Sequence, residues 1–338
     1  MIVTLAGACN EDSARRGVLA HLAEDVIVPA QDQLRADADT LVTDLQAYCA
    51  GGPNTSQAAW RAVRADWSLT AAFVIGPVIE QMQVDPLDFW PVRTTTIEDK
   101  IAAAPPTIDL AYLDTLGTGA KGIPALEYLL FPTPPTPNTP RCAYALALAQ
   151  DIARRTGQIA DAWHGDYAEA LATAGHGSAV YTSEQAGLDA IVNATIENLY
   201  RVVKEKLDRP LGNITGSAPD PARVESFHSG GALLDLARNL DGFAVIYLGA
   251  DLESAGEPGL GELIAARNPG LDERIIAQLA VARAALAAIP PPLGEALTAD
   301  RSAVQTARDE IDALRRLIKL DVASLLGVTL MLSDNDGD

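Results

Sequence analysis

One glutamate inside an apolar run is where residue type and spacing first point to chemistry in this chain. The stretch Lys121-Gly122-Ile123-Pro124-Ala125-Leu126-Glu127-Tyr128-Leu129-Leu130-Phe131 places Glu127 among core-type side chains. A buried carboxylate left unpaired costs several kcal/mol or more, so an interior Glu127 must be hydrogen-bonded, ion-paired or liganded. As a hard oxygen donor it suits calcium, manganese or iron better than zinc. Gly122 and Pro124 read as a turn followed by the first helical residue, because proline fixes φ and has no N–H to lose there. That reading puts Glu127 in the first helical turn, where the positive end of the helix dipole favours a negative charge. The alternative is a first-turn glutamate that faces water.

Two further residues could serve such a group. Arg64 lies between Trp60 and Trp67 at i, i+4 and i+7 spacing, which puts all three on one helix face. This pattern reads as core with a snorkelling arginine head, or as a ligand site. Ser229 follows Ser226-Phe227-His228 and precedes Gly230-Gly231. It reads as the cap of the next helix, or as an anion site at that helix terminus. No G-x-S-x-G elbow accompanies it. The four histidines His21, His164, His176 and His228 are scattered, without the one-turn pairing of H-E-x-x-H, which argues against a zinc peptidase. Spaced carboxylates in Ser333-Asp334-Asn335-Asp336-Gly337-Asp338 resemble a calcium loop but lack its later glutamate, and read as a solvated tail.

The elements that must position these groups are helices. Val18, Leu22, Val26, Leu34, Leu41, Leu45 and Tyr48 form one apolar stripe from Ser13 to Cys49, with Pro29 expected to kink it. A second helix carries Trp60, Arg64 and Trp67, and Pro140 restarts a helix that carries Cys142. Leu188, Ile191, Ile196, Leu199 and Val203 mark another, then Leu233, Leu236, Leu240, Phe243 and Tyr247. The last helix repeats Val304, Ala307, Ile311, Leu314, Ile318 and Leu325 in the rhythm of bundle packing. Strand patterning is nearly absent. The fold class expected is all-α, as two helical bundles over residues 13–175 and 176–338; Gly175-His176-Gly177-Ser178 is the boundary.

The 338 residues include 48% hydrophobic and only 5% aromatic side chains, which suits aliphatic helix packing. A formal charge of −20, from 45 acidic against 25 basic residues, repels nucleic acid and anionic membranes. No apolar run is long enough to span a bilayer. Residues 1–12 read as the end of a bacterial lipoprotein signal, Met1-Ile2-Val3-Thr4-Leu5-Ala6-Gly7-Ala8-Cys9, without its charged start. Cys9 would then carry the lipid, the chain's only membrane attachment. The alternative is an ordinary cytoplasmic start with a chance cysteine. Cys49 and Cys142 lack metal-ligand spacing and could pair in an oxidising compartment, or remain as buried thiols.

The glutamate stretch resembles the imelysin signature, G-x-H-x-x-E followed by an aromatic and leucines, with Pro124 where the family has histidine. Trp60, Trp67, Gly76-Pro77 and Phe89-Trp90-Pro91 follow the order of the family's N-terminal half. Arg141-Cys142 resembles its next helix start; Ser229, Leu233, Asn239, Gly242 and Tyr247-Leu248-Gly249 resemble its central C-terminal segment. Leu326-Gly327-Val328-Thr329 and Asp336-Gly337-Asp338 resemble its end, so the likeness covers about residues 14–338. The resemblance implies two bundles, export to the periplasm, often as a lipoprotein, and a link to iron uptake. It implies a pocket near the bundle interface that includes Gly122, Pro124 and Glu127, and partners in an iron-uptake system or the outer membrane. The expected function is a binding protein for iron, another divalent metal or a small ligand around Glu127, with Arg64 and Ser229 as its partners. The alternatives are a metallopeptidase, which Pro124 disfavours, and a non-catalytic partner-binding protein.

Overall fold

Apolar periodicity turns into helix along nearly the whole chain. The computed structural model describes residues 13–250 and 257–331, and among these there is no strand. Cys9 with the 1–12 segment, and the acidic tail, lie outside the described residues. Eight long helices organise the rest: α1 (13–49), α2 (Ser56–Thr70), α3 (Gly122–Leu130), α4 (Pro140–Ala162), α5 (Glu184–Arg201), α6 (Ala232–Leu248), α7 (Pro269–Ala287) and α8 (Arg301–Arg316).

Helix α1 packs on both α2 and α4, with α3 laid against α4. In the second bundle α5 packs on α6 and α8, and α7 on α6 and α8. The bundles meet where α2 lies on α6. A Cβ added to Gly242 of α6 would stand 2.1 Å from the Leu69 carbonyl oxygen, so this backbone approach needs a residue without a side chain. Short helices such as Val84–Asp88 fill the crossing between α2 and α3.

Pro29 does not break α1. A π-helical turn, Leu22–Ile27, comes immediately before it, and the helix resumes as Val28–Cys49. Such a turn absorbs a disturbance of the hydrogen-bond ladder without ending the helix. The same device corrects the reading of the last helix. Val304, Ala307, Ile311, Leu314 and Ile318 are buried as expected, but Val322 and Leu326 replace Leu325 in the core. The π turn Leu317–Val322 adds a residue to the ladder and rotates the buried stripe by one position.

Cys49 at the end of α1 is disulfide-bonded to Cys142 in the first turn of α4, with Cα atoms 5.7 Å apart. Among the described residues no helix is long and apolar enough to cross a membrane.

Candidate functional site

Gly122 starts α3 with φ +81°, and a Cβ there would meet the Leu87 carbonyl oxygen at 2.5 Å. Only glycine lets the new helix begin so close to the Val84–Asp88 turn. The Trp60 indole N–H donates to the Ile123 carbonyl at 2.9 Å and holds this start from α2. Because α3 opens at Gly122, buried Pro124 is its third residue and Glu127 its sixth. The expected first-turn position of Glu127 is therefore corrected, and the dipole of its own helix gives it little, since that effect fades beyond the first turn.

What meets Glu127 comes from the other bundle. Its carboxylate is 3% exposed and accepts the backbone N–H of Ser229 at 2.7 Å. Burial pushes the Glu127 carboxyl up to about 7, against the opposing pull of the Ser229 hydrogen bonds and of Arg64. Ser229 does not cap α6, which begins after Gly231 without a side-chain cap. Its hydroxyl instead donates to the Ser226 carbonyl at 3.1 Å and accepts the Gly231 N–H at 3.2 Å, folding the loop so that its amide faces Glu127. Arg61 clasps the loop, donating to the Ser229 carbonyl at 2.8 Å while lying over the Phe131 ring.

Arg64 does not snorkel to water. It is 2% exposed and stands at the centre of three carboxylates. Its Nη1 donates to Asp88 Oδ1 at 2.5 Å and its Nε to Asp235 Oδ2 at 3.1 Å. Glu225 Oε1 lies 2.8 Å from its Nη2, off the N–H direction, so that contact is electrostatic rather than a linear hydrogen bond. Lys206 approaches Glu225 at 2.8 Å and donates to Asn239 at 2.9 Å. The Trp67 indole donates to Asp88, Asn239 donates to the Ser68 carbonyl, and Asn198 of α5 donates to the Asn239 carbonyl, so α2, α5 and α6 share one network.

Four carboxylates, Asp88, Glu127, Glu225 and Asp235, lie around Arg64 and Lys206, and Arg201 adds its attraction to Asp88 and Glu225. Burial raises Asp235 despite Arg64, as it raises Glu127. Glu225 goes the other way: burial opposes its charge, but Arg64 and Lys206 outweigh it and hold it at about 2.

A bare metal ion does not fit this donor set. A guanidinium and an ammonium already take the carboxylate oxygens, and among the described residues no three His, Cys, Asp or Glu side chains are grouped to hold a metal. The histidines are occupied elsewhere: His21 by Asp25, His164 by Asp32, His176 by Glu184. His228 packs on the rings of Tyr128 and Phe227.

Of the residues singled out by sequence, Glu127, Arg64 and Ser229 stand at this seam, while Gly122 and Pro124 shape the start of α3. Asp235, Glu225 and Lys206 were missed. Asp235 carried a readable signal, since Leu233-Leu234-Asp235-Leu236 repeats the pattern of a carboxylate in an apolar run that marked Glu127. Glu225 and Lys206 carried none beyond Glu225 standing directly before Ser226.

The sequence profile of the imelysin family matches residues 27–320. The chain belongs to the imelysin family. This imelysin is 28% identical over 339 residues to iron-regulated protein A of Synechococcus elongatus, covering 96% of this chain and 91% of the relative. Its fold is shared by an iron-regulated protein A precursor from Parabacteroides distasonis, with TM-score 0.82 at 21% identity, covering 93% of this chain and 95% of that one. An imelysin-like protein from Psychrobacter arcticum superposes with TM-score 0.81 at 20% identity, over 95% of this chain and 98% of its own. The two-bundle architecture is therefore common to these imelysins.

Proposed function

We propose that this imelysin is an exported, non-catalytic binding protein of iron-related physiology, with Glu127 as the polar centre of its recognition site. The observation that carries the reading is the Glu127 carboxyl itself. It is buried on one bundle, held by the Ser229 amide of the other and brought to a pKa of about 7, so it can offer either an acceptor or a proton at neutral pH. A ligand engaging it would touch both bundles at once. The printed name of the Synechococcus elongatus relative supports the iron connection. The Cys49–Cys142 disulfide fits an oxidising compartment such as the periplasm, with lipid on Cys9 as the tether and iron-uptake components as partners.

The donor set favours iron that arrives inside its own chelating shell. Peptidase chemistry finds little support, because Pro124 has no imidazole nitrogen to coordinate a metal and Arg64 fills the space among the carboxylates. The test is titration of wild type and Glu127→Gln with ferric citrate and with ferrous ion, beside a casein-cleavage assay. We expect chelate binding that Glu127→Gln weakens about tenfold or more, roughly 1.4 kcal/mol. Equal affinity in both proteins would remove Glu127 from the site, and chelator-sensitive cleavage of casein would establish the peptidase instead.

A further inference from the structure

Asp88, which holds Arg64 from one side, also lines an open cleft of roughly 620 Å³ that Glu127 does not line. One wall is the loop carrying Phe89 and Trp90; the other is α5 and its continuation, with Arg201, Glu205 and Arg209. The volume falls within the range of small-molecule sites, about 300–1,000 Å³.

The charge in this cleft is uneven. Asp88 is met from behind by Arg64, Glu80 accepts the Tyr167 hydroxyl, and Glu205 lies 3.5 Å from Arg201. Asp85 is exposed and pairs with no described residue. Carboxylates outnumber the two arginines of the lining. Arg201 records the resulting field: burial works against its charge, yet Asp88, Glu205, Glu225 and Glu197 hold its pKa above the ordinary value. Trp90 is only half-buried, and the lining includes Ile79, 55% exposed, and Met331, 68% exposed. An aromatic face, an unpaired carboxylate and apolar walls in a negative field are what cation–π recognition of an organic cation needs.

We propose that this cleft binds an organic cation with a compact ammonium head and an apolar body, recognised by Trp90 and Asp85. The inference is independent of the Glu127 reading, because it rests on a cavity that Glu127 does not line.

Three probes with the same phenyl body separate the chemistries: 2-phenylethylammonium, 2-phenylethanol and 3-phenylpropionate, titrated by calorimetry at low salt. The cation should bind about tenfold more tightly than the alcohol, and the carboxylate most weakly. Trp90→Leu and Asp85→Asn should each weaken the cation about fivefold with unchanged melting temperature, because neither makes a described hydrogen bond that holds the fold. Tightest binding of 3-phenylpropionate would overturn the proposal in favour of an anion site at Arg209. Equal binding of all three, no binding of the cation at millimolar concentration, or indifference to both substitutions would overturn it as well.

Discussion

The Glu127 carboxylate of the first bundle takes its 2.7 Å hydrogen bond from the backbone amide of Ser229 in the second. A backbone donor cannot be removed by side-chain substitution, so the bond persists as long as the loop keeps its shape. The protonation of Glu127 is thereby tied to how the two bundles sit together.

Glu127 should make stability fall with rising pH. Its folded pKa of about 7 exceeds the ordinary 4.5, so between those values the folded chain binds a proton that the unfolded chain has released. Stability therefore declines through this window and levels off above it. Glu127→Gln keeps an oxygen for the Ser229 amide and cannot ionise. Its stability relative to wild type should rise from about pH 4.5 to about pH 7, by up to roughly 3 kcal/mol. A difference in melting temperature that stays flat over this window would refute the raised pKa.

Arg64→Met should be severe. It leaves Asp88, Glu225 and Asp235 without their shared cation in a buried setting, a loss of about 3–5 kcal/mol for a broken buried pair. Arg64→Lys should recover only a minority of this, because one ammonium cannot reproduce the fork that reaches three acceptors. Urea unfolding of the three proteins measures both statements.

Gly242→Ala probes the seam without touching charge. The added methyl would meet the Leu69 carbonyl, so α2 and α6 must part. We expect a loss of about 1–3 kcal/mol or more, as for an overpacked core. An unchanged urea midpoint would show that the helices can separate freely.

Removing the disulfide should cost stability through the unfolded chain. Cys49 and Cys142 are separated by 93 positions, and a loop of that size corresponds to about 4–5 kcal/mol in the chain-entropy account. The Cys49→Ser, Cys142→Ser double variant, melted beside wild type with and without reductant, checks this. The double variant should not respond to reductant, whereas wild type should drop to its level.

Helical periodicity was enough to foresee an all-α chain. Local signals were weaker at helix ends and at inserted turns. Nothing in Leu317 to Val322 announces a π turn, so the buried stripe was placed on Leu325 rather than Leu326. Pro124 suggested a helix start two residues too late, because the positive φ of Gly122 carries the turn inside the first hydrogen-bonded ring.

By itself the sequence determined the helices and their apolar faces, because a 3.6-residue period reports them directly, and it pointed to the family through the motifs that resemble the family's own. Only the tertiary structure decided that Arg64 would meet Asp88, Glu225 and Asp235, and that Glu127 would meet Ser229. Those partners come from different helices and loops. Their meeting follows from how closely α2 can approach α6 at Gly242, and once water is excluded there, burial pushes the Glu127 and Asp235 carboxyls upward.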